Sequence, residues 1–268
     1  MGGGGPEFRL VATGEPGLSA VVARSGHSFP RHTHDAFGIG LILSGGQISA
    51  SGRGQVTAGA GDVITVNPGE VHDGHALRGE PRAWHMLYLT PERMAELSSG
   101  ISPTQSFEFE APVLAGKRFA SGFASAFRQL TMVAPQDRLN AGDEILLSLF
   151  APLMRRRDTA LPDHRHPGLA RVRSLIDDNP AASPTLERLA VEANLTRFQL
   201  LRAFSAWTGL TPHAYLRERR AHAARRLILS GRSLADAAAE AGYADQSHMT
   251  RDFRRRYGLT PAAFARGL

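Results

Sequence analysis

The sequence predicts a multidomain α+β protein: a small β-barrel with flanking helices, then an all-helical domain of two helix-turn-helix units. Between residues 10 and 89, short β-prone stretches alternate with glycine turns. The last third of the chain instead repeats one helical pattern. Charge divides the chain in the same way. Residues 165–268 carry 17 arginines against 9 acidic residues, whereas residues 1–164 carry 14 basic and 16 acidic residues. A basic half beside a mildly acidic one indicates that only one half meets phosphate.

Five stretches rich in aliphatic and aromatic residues predict the strands of the first domain: Ala20–Ala23, Ile39–Leu43, Gln47–Ala50, Val63–Val66 and Trp84–Leu89. Glycine or proline interrupts them about every 8–12 residues, which favours a small sandwich or barrel. Side chains alternate between the two faces of a strand, so Trp84, Met86 and Tyr88 share one face. That face either lines a ligand site in the interior or packs as ordinary core.

Two amphipathic helices are predicted next, at Lys117–Val133 and Asp137–Arg156. Their apolar stripes are Phe119, Phe123, Phe127 and Leu130 in the first helix, and Leu139, Ile145, Leu146, Leu149 and Leu153 in the second. The stripes either cover the barrel or pair with a second subunit, so a homodimer is expected. Residues 157–168 are polar and contain proline, which predicts a linker. The predicted domains are therefore 1–116 for the barrel, 117–156 for the helical pair and 169–268 for the helical domain.

The repeat is marked by Gly-Leu-Thr-Pro, which begins at Gly209 and again 49 residues later at Gly258. Two short helices precede each copy: Thr185–Ala193 and Arg197–Trp207 in the first unit, and Leu234–Ala241 and Asp245–Tyr257 in the second. Ser183-Pro184, Thr196 and Ser233 are expected to begin helices as capping residues. The two glycines are expected to end the second helices. Two short helices joined by a tight turn predict a helix-turn-helix in each unit.

A long helix from Pro212 to about Leu229 is predicted between the units. Its roughly 18 residues span about 27 Å, and neighbouring half-sites lie about 34 Å apart on one face of DNA. Five arginines make this helix basic: Arg217, Arg219, Arg220, Arg225 and Arg226. We therefore expect a rigid basic rod that holds the two units about one turn of DNA apart.

Residues 169–268 resemble the DNA-binding domain of the AraC/XylS family of transcription regulators. The resemblance is carried by Arg202-Ala-Phe204, by the run from Ala238 to Tyr243, and above all by the segment from Asp245 to Pro261. Ala237 departs from the family pattern, which usually has a larger aliphatic residue, and this predicts looser packing there. The resemblance implies a sequence-specific regulator of transcription, expected to be an activator. Its implied partners are double-stranded DNA, a small-molecule effector and RNA polymerase.

By the same resemblance, two sets of side chains near the starts of the second helices are expected to face base edges. They are Arg197, Phe198, Leu201 and Arg202 in the first unit, and Gln246, Ser247, Thr250 and Arg251 in the second. Arg202 and Arg251 are expected to read guanine, which arginine contacts with two hydrogen bonds. Arg255 is expected to contact phosphate, because the three successive arginines from Arg254 to Arg256 cannot all face one surface.

Residues 8–90 resemble the cupin-like effector-binding domain common in this family, through Phe29–His34, Ala60–Asp62 and Asn67–His72. His32 and His34 are two residues apart, so in a strand they share one face. Cupin enzymes use such a pair and a later histidine as metal ligands, which here would be His72. The glutamate that usually follows the pair is missing, so no metal, cofactor or catalytic residue is assigned.

The expected effector wall consists of His32, His34, His72, Trp84 and Tyr88. A polar wall of this kind favours a small polar or anionic metabolite. The leading interpretation is thus a one-component regulator that responds to a small molecule and is not an enzyme. The alternative is a cupin metalloenzyme fused to a DNA-binding domain.

Composition excludes several other classes. The chain of 268 residues has no cysteine, so disulfide scaffolds and thiolate zinc sites are excluded. Its apolar runs are too short to span a membrane, and no signal peptide is visible at the first residues. A cytoplasmic protein without a membrane partner is therefore expected.

Overall fold

The structure is a computed structural model that describes residues 7–98, 107–138, 142–156 and 167–266. The chain divides into two compact units, one within residues 1–159 and one within residues 160–266. Most of the predicted linker, residues 157–166, lies outside the described residues, and Pro167 and Gly168 already belong to a helix. The first unit is built on antiparallel sheets and the second is helical, as the sequence predicts.

The strands of the first unit are β1 (Glu7–Val11), β2 (Leu18–Ser25), β3 (Phe29–His32), β4 (Phe37–Ser44), β5 (Gly46–Ser51), β6 (Gly54–Gly59), β7 (Val63–Val66), β8 (His72–Ala76), β9 (Arg82–Leu89), β10 (Phe107–Phe109), β11 (Val113–Leu114) and β12 (Met154–Arg156). One sheet has six strands in the order β1-β2-β9-β4-β7-β11, and the other has four in the order β3-β8-β5-β6. A third, small sheet pairs β10 with β12. All five predicted strands form, and β3, β6 and β8 are further strands in glycine- and histidine-containing stretches.

Both faces of the six-stranded sheet are buried, because its central strands alternate between two apolar clusters. One face packs against helices α2 (Lys117–Met132) and α3 (Gly142–Phe150), where Ile39 and Leu87 meet the buried phenylalanines of α2. The other face, with Ile42 and Trp84, packs against residues of the four-stranded sheet. A shorter helix, α1 (Pro91–Ser98), follows β9. The helices of the first unit thus cover its larger sheet.

The second predicted helix of this unit is shorter than the sequence analysis expected. Helix α3 ends at Phe150, and a 3-10 turn, Ala151–Leu153, leads into β12. Pro152 explains the early end, because proline has no N–H to donate and its ring clashes with the preceding helical turn. Of the predicted stripe, Leu139 lies outside the described residues. In α2, Phe119 is 37% exposed, so the buried stripe begins only at Phe123.

The helices of the second unit are α4 (Pro167–Asp178), α5 (Leu186–Ala193), α6 (Arg197–Thr208), α7 (Pro212–Leu229), α8 (Leu234–Glu240), α9 (Gln246–Tyr257) and α10 (Pro261–Arg266). The two predicted helix-turn-helix units are α5–α6 and α8–α9, joined by α7. Within the described residues, no helix is both long and apolar enough to cross a membrane.

Local capping sets the limits of these helices. Thr196 and Gln199 form a reciprocal capping box at the start of α6, and the side chain of Asp245 accepts a hydrogen bond from His248 N at the start of α9. Gly209 and Gly258 end the same two helices with φ of 76° and 74°, a left-handed conformation that favours glycine. One predicted cap is wrong. Thr185, not Ser183, caps α5 by accepting a hydrogen bond from Arg188 N.

Candidate nucleic-acid interface and histidine site

Helices α6 and α9 each bury one face and expose the other. Leu200 and Phe204 of α6 are fully buried, as are Met249 and Phe253 of α9. These side chains pack both helices against the rest of the second unit. The residues predicted to read DNA therefore lie on the opposite, outer faces. The repeat in the sequence is therefore also a repeat in structure.

The residues predicted to read DNA lie at equivalent positions of α6 and α9. Six of them are exposed, and Leu201 and Thr250 are half-buried: Arg197, Phe198, Leu201 and Arg202 on α6, and Gln246, Ser247, Thr250 and Arg251 on α9. Each residue of the first set is 49 positions before its counterpart in the second. Phe198 is 72% exposed and places an aromatic ring on the outer face of α6. Both helices thus present equivalent outward faces.

Three arginines of α7 contact other parts of the second unit. Arg217 donates a hydrogen bond from Nη2 to Asp252 Oδ1 at 2.8 Å, and Arg219 Nε lies 2.8 Å from Asp177 Oδ1. Arg220 donates to the carbonyl oxygen of Pro180 at 2.8 Å. These guanidinium groups hold the helices of the second unit together. From the sequence, these arginines count toward the basic charge of α7, but these contacts were not predicted.

The arginines that follow the reading face of α9 separate by burial. Arg254 and Arg255 are exposed, whereas Arg256 is buried beside Glu218 of α7 and Asp252. The hydroxyl of Tyr243 donates to Asp252 at 3.0 Å, and burial raises the pKa of that hydroxyl. Sequence reasoning missed this network. Its one visible signal was Glu218, an acidic residue inside a run of arginines.

In the first unit, the three histidines of the predicted effector wall lie close together. The ligand nitrogens of His32, His34 and His72 all lie within 4.8 Å of one another. His32 and His72 are directly paired between β3 and β8, and their ring centroids are 4.5 Å apart. The predicted reason for the grouping is partly wrong, because β3 ends at His32 and His34 lies in the loop before β4. Its ring still approaches the rings of His32 and His72, at 5.0 and 5.1 Å.

Backbone carbonyls orient two of these rings. Nδ1 of His32 donates to the carbonyl oxygen of Pro30 at 2.8 Å, and Nδ1 of His72 donates to that of Glu70 at 3.1 Å. A carbonyl oxygen can only accept, so Nδ1 carries the proton in both rings. Burial lowers the pKa of His72, which favours the neutral ring. In a neutral ring protonated on Nδ1, Nε2 is the unprotonated nitrogen.

The remaining wall residues, Tyr88 and Trp84, both pack in the cluster between the two sheets. Tyr88 joins the histidines, with its ring 5.0 Å from that of His34. Gly38 lies opposite Tyr88 in the sheet, and a Cβ there would approach the Tyr88 ring within 3.0 Å, so glycine leaves room for this ring. Trp84 lies four residues earlier on β9, 6.3 Å from Phe29, and the Phe29 ring in turn lies 6.0 Å from that of His32. The guanidinium of the buried Arg82 lies 4.7 Å from the Trp84 ring.

Family models match both units. Residues 15–151 match the AraC-like ligand binding domain, and residues 189–267 match a helix-turn-helix domain. This chain belongs to the AraC family. It is a transcription regulator with an N-terminal ligand-binding domain and a C-terminal helix-turn-helix DNA-binding domain, as the resemblance implied.

Named relatives agree with this assignment. The chain is 27% identical over 227 residues to the uncharacterized HTH-type transcriptional regulator YbfI of Bacillus subtilis, covering 82% of this chain and 81% of the relative. It is 26% identical over 251 residues to the HTH-type transcriptional activator RhaS of Escherichia coli, covering 89% and 88%. The crystal structure of ToxT from Vibrio cholerae matches 95% of this chain and 99% of its own, with a TM-score of 0.61 and 12% identity. The AraC-family relatives are regulators, and ToxT shares the fold.

Proposed function

We propose that this AraC-family protein activates transcription by binding DNA with the outer faces of α6 and α9, in response to a small molecule held in the first unit. One observation carries the DNA half of this proposal. The exposed positions at the start of α6 recur 49 residues later at the start of α9. Two equivalent faces suit two successive stretches of one DNA face. The similarity to RhaS, which is named as an activator, supports activation rather than repression.

Arg202 and Arg251 are the proposed guanine readers. Both are exposed at equivalent positions, and neither is needed to bury the core face of its helix. Arginine reads O6 and N7 of guanine together in the major groove. Phe198 offers apolar contact instead, which suits the methyl group of thymine. Gln246 and Ser247 supply hydrogen-bonding groups at the corresponding start of α9.

Arg255 is the proposed phosphate contact. It is exposed, whereas its neighbour Arg256 is buried by Glu218 and Asp252. An exposed guanidinium at this end of the reading helix adds affinity that does not depend on sequence. The exposed Arg254 beside it is a second source of the same charge.

The effector is proposed to bind beside His32, His34, His72 and Tyr88. These side chains combine ring nitrogens with an aromatic hydroxyl in one place, as small-molecule sites commonly do. A further structure of ToxT is of that protein with an unsaturated fatty acid bound, and it shares the fold of this chain with a TM-score of 0.59 at 12% identity. This supports a small-molecule ligand for the present chain.

The remaining parts of the proposal concern assembly and catalysis. A homodimer would use the outer surface of α2, where Phe119 and Met132 are exposed, because the rest of its stripe is buried on the sheet. RNA polymerase is the proposed partner in activation, and the cytoplasm is the proposed compartment. We propose no catalytic activity, since the similar proteins are regulators.

The test is selection of DNA from a randomised duplex library with the full-length protein, followed by fluorescence anisotropy on the selected sequence at fixed salt. Arg202→Ala and Arg251→Ala should each lose about 1–3 kcal/mol of discrimination at one base position. Arg171→Ala, on the exposed side of α4, is the matched control and should keep the preference. Equal weakening on every sequence would show that these arginines contact phosphate instead.

A further inference from the structure

We propose that the first unit binds a divalent transition-metal ion through His32, His34 and His72. Among the described residues, these three histidines form the single group of at least three histidine, aspartate or glutamate side chains arranged closely enough to hold a metal ion. They come from the end of β3, the following loop and the start of β8. Two sheet strands and a short loop therefore fix the positions of all three.

The distances fit a metal site that tightens on binding. A tetrahedral zinc ion with bonds of about 2.1 Å holds its nitrogen ligands about 3.4 Å apart. The ligand nitrogens here lie within 4.8 Å of one another. Small rotations of the imidazole rings close the difference, and the backbone can stay where it is.

Hydrogen bonds hold two of the rings in the form that ligates metal. The carbonyl oxygens of Pro30 and Glu70 accept from Nδ1 of His32 and His72. A metal-bound histidine almost always donates its other ring N–H to such a carbonyl or to a carboxylate, which fixes the ring and raises its basicity. Nε2 of both rings is thus the ligating atom.

The nearby carboxylates have other roles, so the ligand set is nitrogen alone. Glu70 accepts a hydrogen bond from Asn67 Nδ2 at 3.0 Å and lies 3.6 Å from Arg53. Asp73 accepts from the backbone N–H of Ala50 at 2.7 Å. Neutral imidazoles suit zinc, copper, nickel and iron, whereas magnesium and calcium prefer oxygen ligands. The proposed ligand set is therefore three imidazoles, without the glutamate that usually follows the pair in cupin enzymes.

Three neutral ligands leave the full charge of the ion unbalanced and one coordination position open. An anionic or metal-chelating effector would fill that position, with Tyr88 beside it. This last step rests on the proposed effector site. The metal site itself does not depend on it.

The experiment uses untagged full-length protein, stripped with a chelator and titrated with Zn²⁺ and with Co²⁺. We expect one equivalent of metal to bind, a rise in melting temperature, and the intense visible bands of tetrahedral Co²⁺. His34→Ala should weaken metal binding at least about tenfold. His75→Ala is the matched control, because His75 lies on the same strand as His72 but outside the cluster. It should bind metal as the wild type does.

Two results would overturn the proposal: no stoichiometric binding by the wild type, or equal binding by wild type and His34→Ala. Anisotropy on the selected DNA is measured with the same samples. Wild type that binds no metal but still binds this DNA would refute the metal site and leave the regulatory function standing. Loss of DNA binding in both the stripped and the loaded protein would count against the regulatory function alone.

Discussion

Arg256 of α9 and Glu218 of α7 form a buried ion pair, with 3.0 Å between Nη1 and Oε1. Their side chains are only 6% and 3% exposed. Asp252, one turn before Arg256, lies 3.4 Å from its Nε and also accepts from Arg217. The second reading helix is therefore attached to the long helix by charge as well as by its apolar face. Removal of Arg256 takes away a guanidinium that lies beside two buried carboxylates, those of Glu218 and Asp252.

The first prediction concerns this pair. Arg256→Met should lower the free energy of unfolding by about 3–5 kcal/mol, because Glu218 is then left charged and buried. A urea unfolding curve, monitored by the circular dichroism signal of the helices, measures the change. Arg255→Met, at the exposed neighbouring position, is the control and should stay within about 0.5 kcal/mol of wild type. Equal stability of the two variants would mean that the pair adds nothing to this unit.

A second prediction separates phosphate contact from base reading. Arg255→Ala should make the slope of log affinity against log salt concentration shallower by about one. The reason is that each phosphate contact releases about one counterion. The preferred sequence should be unchanged. Anisotropy between low and moderate salt measures the slope. An altered preference at an unchanged slope would place Arg255 on a base edge.

The third prediction distinguishes two residues of the expected effector wall. Trp84 is buried in an aromatic cluster, so Trp84→Ala should destabilise the first unit by about 3–5 kcal/mol. His34 lies half-buried in a loop, so His34→Ala should keep the fold and abolish the response to effector. Thermal unfolding and effector-dependent DNA binding measure the two effects. A folded His34→Ala protein that responds normally would place the effector elsewhere.

The fourth prediction concerns pH and His85, whose ring stacks on Phe127 at 4.3 Å and joins the sheet to α2. Burial, and then the charge of Arg9, lower the pKa of His85 below its ordinary value of 6.5. As the pH falls, His85 therefore takes up a proton at a higher pH in the unfolded chain than in the folded chain. Stability should be intact above about pH 6.5 and fall as the pH drops below it.

Melting temperatures at pH 7.5 and pH 5.5 measure this loss for wild type and for His85→Phe, which keeps the aromatic contact and removes the titrating group. The variant should lose less than wild type. An identical drop in both proteins would assign the pH dependence to other groups, such as His72, whose pKa is also lowered by burial.

Local sequence determined much of the helical unit. A capping residue satisfies the N–H groups of its own helix, and a glycine ends a helix through its own φ, so Thr196, Gly209 and Gly258 mark helix ends without help from the rest of the fold. The 49-residue repeat and the uneven charge are also properties of the chain itself. They were enough to predict two helix-turn-helix units and the family.

Tertiary structure decided the features that join distant residues. Whether an arginine faces DNA or a neighbouring helix depends on what packs beside it, and only the fold showed that Arg256 is buried on Glu218. The early end of α3 was readable from Pro152, yet the strand that follows forms because it pairs with β10. The histidine cluster needed both kinds of information. Sequence named His32, His34 and His72, but the pairing of β3 with β8 brings them together, because strand partners are chosen by burial and register across the whole sheet.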